Sequence, residues 1–189
     1  MAYKVVTPVA TEAVTLVEAR LQCKVDSDDT SWDATLTSLI TAAREYAEHE
    51  TQRALAPQTL EMALDRFPQC GGEILLEMPP VASVTSIKYD DTNGVEQTLP
   101  TTVYAFSTYG ESRRVSLKYG QVWPSTYCQA NAVRIQYVTG YTTCPKAAKA
   151  AMLLHIEAEY PNNALTPDER ADKYRARDAL LGTIKVWGF

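Results

Sequence analysis

Residues 131–163 read NAVRIQYVTGYTTCPKAAKAAMLLHIEAEYPNN, and the period of the apolar positions changes inside them. Val133, Ile135 and Tyr137 alternate with Arg134 and Gln136, the two-residue repeat of a strand that buries one face. Past Gly140 and Tyr141 the alternation stops. Pro145 then opens a helix, since its fixed backbone angle suits a first turn, and Pro161 ends it. The segment PKAAKAAMLLHIEAEY between them is apolar around most of its circumference. A helix of that kind is buried on several sides, by its own core or by a neighbouring subunit.

Upstream of this junction the two-residue period recurs. Leu60, Met62 and Leu64 alternate with Glu61, Ala63 and Asp65; Ile74, Leu76 and Met78 alternate with Leu75 and Glu77; Val115, Leu117 and Tyr119 alternate with Ser116 and Lys118. Each run reads as a strand with one buried face. Asn93-Gly94 stands between SVTSIKY and VEQTL, a strong hairpin signal.

Before Pro57 the period is helical. Thr15 and Glu18 form a capping box, which predicts a helix of about two turns to near Gln22. After the acidic connector CKVDSDDTS, a stripe of Trp32, Leu36, Leu39, Ile40, Ala43, Tyr46 and Ala47 predicts a helix from 32 to about 53. Asp28, Asp29 and Asp33 lie at its start, where the helix dipole favours negative charge. Downstream, Thr166 and Glu169 form a second capping box, with Pro167 at the first helical position and a predicted end near Leu181. The expected fold is therefore α+β. A helical bundle comes from the N- and C-terminal segments (helices about 11–55 and 144–182). A mostly antiparallel β insertion occupies about 57–142 and a tail 183–189, all within one domain, 1–189.

Composition narrows the function. With 46% hydrophobic and 22% charged residues in 189, the chain has the makeup of a soluble globular domain and the length to bury a core unaided. No apolar run is long enough to span a membrane. The start MAYKVVTPVATEAVT lacks a signal peptide's apolar core and cleavage site, so synthesis in the cytoplasm is expected. Cys23, Cys70, Cys128 and Cys144 show neither a CxxC pair nor zinc-ligand spacing and read as reduced thiols. A net charge of −5 suits poor phosphate binding, as in a protein past which DNA slides without sticking.

Catalytic signatures are missing from the sequence. His49-Glu50 begins like HExxH, but Arg53 stands where the second ligand belongs. His155 lies on an apolar helix and reads as a core or interface histidine. A calcium loop starting at Asp26 needs glycine sixth and glutamate twelfth, where Ser31 and Thr37 stand. There is no GxSxG elbow, Walker loop or GxGxxG. Glu61, Asp65, Glu73 and Glu77 have the chemistry for an acid–base pair if they converge, which keeps open a small metal-independent cytosolic enzyme. No catalytic, metal or cofactor residue is assigned.

Four segments together resemble the head-to-tail connector, or adaptor, proteins of long-tailed bacteriophages. They are AAREYAEHETQRAL (42–55), LEMPPVASVTSIKYDDTNGVEQTLP (76–100), YGQVWP (119–124) and the stretch 131–163 quoted above. The resemblance runs from about Thr15 to Asn163. Its most specific parts are the T-x-R-A-L helix end, the PPVxSVxSIKY hairpin, and GY followed by Pro and an apolar helix. One departure is Gln52, where the connector pattern has glycine.

The resemblance implies a single connector domain that works in the virion neck, at the portal vertex, after assembly in the host bacterial cytoplasm. It implies a homo-oligomeric ring, a dodecamer on the portal, that extends the DNA channel and docks the next neck or tail-completion protein. It implies no enzyme activity, no cofactor, no membrane and no specific DNA binding. Another neck component, such as a stopper or tail-completion protein, is the alternative. Candidate partner-interface residues are Met152, His155 and Ile156 on the apolar helix, and Trp187 and Phe189 in the tail. That tail either anchors in a portal groove or folds back on its own core, and removing 184–189 is expected to leave the fold intact but weaken portal docking.

Overall fold

A computed structural model describes residues 2–107 and 113–186. The chain divides into two compact units. One takes Ala10 and the residues before it together with Pro57–Gly140; the other takes Thr11–Ala56 and the residues from Tyr141 onward.

The helical unit follows the capping signals closely. Helix α1 spans Leu16–Gln22, and Thr15 and Glu18 close the expected capping box. Helix α2 spans Asp33–Thr51 with Trp32 as N-cap. Helix α3 spans Lys146–Glu159 directly after Pro145. Helix α4 spans Pro167–Gly182, with the Thr166–Glu169 box at its start. Leu36, Ile40, Ala43 and Ala47 of α2 and Ala148, Ala151, Met152 and Ile156 of α3 form one buried core with Val14, Ala19, Leu55 and Leu181. The i, i+4 spacing that predicted the α2 stripe is what presents these residues on one face. Trp32 meets Tyr160 edge to face at 5.2 Å, which closes one end of that core.

The β unit holds a five-stranded sheet in the order β1-β2-β8-β4-β5 and a three-stranded sheet in the order β3-β7-β6. The larger sheet is made of β1 (Ala2–Thr7), β2 (Gln58–Leu64), β8 (Val133–Thr139), β4 (Val81–Asp90) and β5 (Glu96–Thr98). The smaller is made of β3 (Ile74–Leu75), β6 (Tyr104–Phe106) and β7 (Arg114–Leu117). Every recorded pairing is antiparallel, so the α+β expectation stands.

Strand β8 is central and alternates as the sequence demanded, with Val133, Ile135 and Tyr137 fully buried. Ile135 faces Met62 of β2 on one side and Ile87 of β4 on the other, and all three are inaccessible to solvent. This cross-strand row fixes the register, because a slip by one residue would turn it outward. The β4–β5 hairpin forms, and its turn is organised by Asp91. Its Oδ1 accepts from the backbone N–H of Asn93 and Val95, and Gly94 takes the left-handed conformation, φ +77°.

Three strand readings change. Strand β1 carried no alternation and was not expected; the first residues join the β unit through pairing with β2. Strand β3 stops at Leu75, although Ile74, Leu76 and Met78 keep the predicted burial. Strand β7 ends at Leu117, where Gly120 (φ +73°) turns the chain, so Tyr119 is fully exposed instead of on a buried face.

Candidate interaction surfaces

In the helical unit, two of the expected interface residues face inward. Met152 and Ile156 of α3 lie in the core just described and hold the helix to α2. His155, one step around α3, is half-buried and heads a polar and aromatic stack. Its ring lies on Tyr46 of α2, with centroids 5.1 Å apart and planes 16° from parallel. Arg177 of α4 donates from Nη1 to His155 Nδ1 at 2.8 Å and from Nη2 to the Tyr46 hydroxyl at 2.8 Å. The same guanidinium lies over the rings of Tyr46 (4.1 Å) and Tyr174 (4.8 Å) and donates from Nε to Asp178.

Arginine has no acceptor, so His155 Nδ1 must be the acceptor and the ring proton sits on Nε2. Burial, then the neighbouring Arg177 charge, holds the His155 pKa below the ordinary 6.5. A neutral imidazole that ties three helices together has a structural task. The sequence pointed to His155 but not to its partners, which lie on α2 and α4.

The chain after α4 is fixed as far as it is described. Arg53 Nε donates to the Ile184 carbonyl, and the Val186 N–H donates to the Thr51 carbonyl at 2.9 Å. Ile184 also packs against the helical core. Ile184 and Val186 are therefore part of the helical unit, and a cut that spares them disturbs the fold least. Trp187 and Phe189 lie outside the described residues.

Three of the four groups that kept an enzyme reading open, Glu61, Asp65 and Glu73, are separately engaged. Glu61 binds Lys4, Glu73 binds Arg114, and Asp65 accepts from the Asn131 N–H. In the acidic connector, Asp29 accepts from the N–H and hydroxyl of Ser31, and at the start of α2 Asp33 pairs with Arg20. Cys23 and Cys144 are free thiols whose pKa values burial pushes up to about 11, far from the reactive thiolate range. Among the described residues, no group of three or more His, Cys, Asp and Glu side chains is placed to hold a metal ion.

What the two units do present is apolar surface. On α1, Val17 and Leu21 are 75% and 79% exposed and stand one turn apart on the same face. In the β unit, Val5 and Val6 of β1 are exposed, as are Tyr119, Val122 and Tyr127 of the loop before β8. Beside that loop lies an open groove of about 590 Å³ floored by Phe67 and Trp123. Their rings stack at 4.9 Å, and Trp123 Nε1–H donates to the Gly72 carbonyl. Rigid aromatics beside exposed apolar residues suit binding to another protein better than chemistry on a small molecule. Among the described residues, no helix is long and apolar enough to cross a membrane.

The fold has counterparts in a viral-type particle. Among the solved chains that match, three do so along nearly their whole length. One is in the virion of a native gene transfer agent particle, with TM-score 0.75, 22% identity, and coverage of 100% of this chain and 97% of that one. A second is in the neck of an empty gene transfer agent particle computed with C6 symmetry, with TM-score 0.77, 21% identity and the same coverage. A third is in the neck of a native particle computed with C12 symmetry, with TM-score 0.69, 21% identity and the same coverage. At these identities the likeness shows a shared fold. No family model matches the chain, and no curated protein does.

Proposed function

We propose that this chain is a head-to-tail connector, or adaptor, subunit located in the neck of a phage-like particle. It forms a ring beneath the portal, extends the DNA channel and docks the next neck or tail-completion protein, with the whole chain acting as one connector domain. The observation that carries the reading is the end-to-end fold likeness to chains from particle necks, two of them in reconstructions of six-fold and twelve-fold symmetry. The sequence resemblance to phage connectors runs from about Thr15 to Asn163, within that span, and is read from the residues alone.

The physical chemistry supports it. A net charge of −5 lets DNA pass without counterion-releasing contacts. Exposed apolar residues on α1, β1 and the loop before β8 supply surface for copies and partners. Function by packing needs no catalytic residue and no cofactor. Within this reading Met152 and Ile156 act from the core, holding α3 so that His155 and its neighbours keep one conformation, and Trp187 and Phe189 are the anchors to the portal.

Mass measured by light scattering over a range of concentrations, with and without a cognate portal, tests the proposal. A closed oligomer, or a monomer that joins the portal in fixed stoichiometry, is expected. A protein that stays monomeric and ignores the portal overturns it. One that ignores the portal but binds a downstream neck component is a stopper or tail-completion protein instead.

A further inference from the structure

Where the end of α1, the start of α2 and the exit from α3 meet, the helical unit holds a pocket of about 460 Å³. Its walls are pinned. Gln22 Nε2 donates to Glu157 Oε2 at 2.5 Å and Lys173 Nζ pairs with Glu157 Oε1 at 2.8 Å, which ties the ends of α1 and α4 to α3. Asn163 Nδ2 donates to the carbonyls of Glu157, Ala158 and Tyr160, which fixes the turn after α3. A cavity already formed binds without first having to order its walls.

One group in it lacks a bond. Tyr160 lines the pocket, is 3% exposed, and meets edge to face the ring of Trp32, which also lines it. Among the described residues the Tyr160 hydroxyl has no hydrogen-bond partner. Every fully enclosed side-chain oxygen and nitrogen among them is bonded, so this hydroxyl is not sealed in and opens on the pocket. A buried ring whose one polar atom is left for the outside offers it to a ligand.

The charge around that hydroxyl is negative. Asp26, Asp29, Glu157 and Glu169 line the pocket, against Lys24 as the one cation among the lining residues. Glu157 is held by Lys173, and Glu169 caps α4. Asp26 has no side-chain partner among the described residues, and Asp29 is bonded only through Oδ1, to Ser31. A metal ion does not fit this set, since no three such ligands come together among the described residues. A guanidinium does: it spreads its charge over a planar fork of N–H donors, stacks on aromatic rings, and takes carboxylate and hydroxyl acceptors.

We infer that this pocket binds an arginine side chain carried by a different protein, with the Tyr160 hydroxyl and the Asp26 and Asp29 carboxylates as acceptors and Trp32 as the aromatic wall. The source is a different protein because this chain is itself acidic. At a net charge of −5 it is complemented by a basic partner, whereas a second copy repeats its own charge. The inference goes beyond the connector reading and does not depend on it.

Saturation-transfer NMR on the full chain tests it with acetyl-arginine-amide, blocked at both ends as within a peptide, and with acetyl-citrulline-amide, its uncharged counterpart. Saturable binding of the arginine probe is expected, at least about fivefold tighter than that of the citrulline probe. Asp26→Asn and Tyr160→Phe should each weaken it roughly two- to fivefold. Asp26 is exposed and the Tyr160 hydroxyl bonds nothing in the described chain, so both variants should melt with the parent chain. Equal binding of the two probes, no saturable binding, or unchanged affinity in either variant overturns the inference and leaves the connector reading standing. If Asp26→Asn lowers the mass of an oligomer that the wild-type chain forms alone, the arginine belongs to a second copy, which also overturns it. A chain that binds the arginine probe as expected but stays monomeric and ignores a cognate portal supports the pocket and overturns the connector reading alone.

Discussion

At the residue scale, the hydrogen bond from Arg177 to His155 Nδ1 sets a pH dependence for the helical unit. The unfolded chain protonates this histidine near pH 6.5, whereas burial and the Arg177 charge keep the folded form neutral to lower pH; Glu159 and Asp178 offset this only in part. The folded state thus binds fewer protons, and stability is full above pH 6.5 and falls as pH drops below it. Thermal melts at pH 7.5 and 5.5 should show the lower value at pH 5.5. His155→Asn, which keeps an acceptor near the Nδ1 position and does not titrate, should shrink the difference. An equal pH slope in the variant would remove His155 as the cause. Sequence alone put His155 on an apolar helix, but Tyr46 lies 109 positions before it and Arg177 22 after it, so the stack becomes legible only when α2, α3 and α4 are packed. Arg44 follows the same rule. It pairs with Glu12 at 2.8 Å and Glu48 at 2.7 Å, while the other Glu48 oxygen accepts the Leu55 N–H, a buried clamp on the exit from α2 that no local motif announces.

Helix ends are the elements the sequence encodes most directly, because caps are local chemistry. Thr15 with Glu18 and Thr166 with Glu169 close their boxes within four residues, and Pro145 and Pro167 stand where a helix admits proline. The end of α2 shows the same logic through its exception. Gln52 is the C-cap in the left-handed conformation, φ +55° and ψ +38°, at the position where the connector pattern has glycine. A side chain there is disfavoured by Cβ contact, and the Gln52 Nε2 bond to the His49 carbonyl recovers part of the cost. Gln52→Gly should therefore raise stability by roughly 0.5–1 kcal/mol, once the greater freedom of glycine in the unfolded chain is subtracted. Denaturant titration reads this as a higher midpoint at constant slope, and a lower midpoint would mean that the Gln52 side chain matters more than its backbone strain. Strands were legible where one face is buried, as in β8, and illegible where only pairing holds them, as in β1. Tyr119 was misplaced for a related reason: alternation continues past Leu117 in the sequence, but Gly120 ends the strand, and a turn glycine outranks a side-chain pattern.

Across the whole molecule, the chain crosses from the β unit to the helical unit after Ala10, returns at Pro57 and leaves again at Gly140, so neither unit is a continuous stretch. The last chain segment therefore belongs to the helical unit, and its contacts decide where a truncation can be made. The Ile184 carbonyl is bound by Arg53, and the Val186 N–H by Thr51, so a cut before 184 removes part of the helical unit's own bonding. A cut after Val186 removes Trp187, Gly188 and Phe189 alone. In the connector reading those two aromatics are the portal anchors, and aromatic anchors carry a disproportionate share of binding energy, commonly 2 kcal/mol or more apiece (an order-of-magnitude figure). Ending the chain at Val186 should thus leave the melting temperature within about a degree of the full chain, since the bonds of Ile184 and Val186 to the helical unit are kept. It should also weaken capture by a portal at least about thirtyfold, the equivalent of one such anchor at 1.4 kcal/mol per factor of ten. Titration of labelled portal against both forms measures the ratio. Equal affinities would free Trp187 and Phe189 from the portal contact and move the docking surface onto the exposed residues of α1 or of the loop before β8.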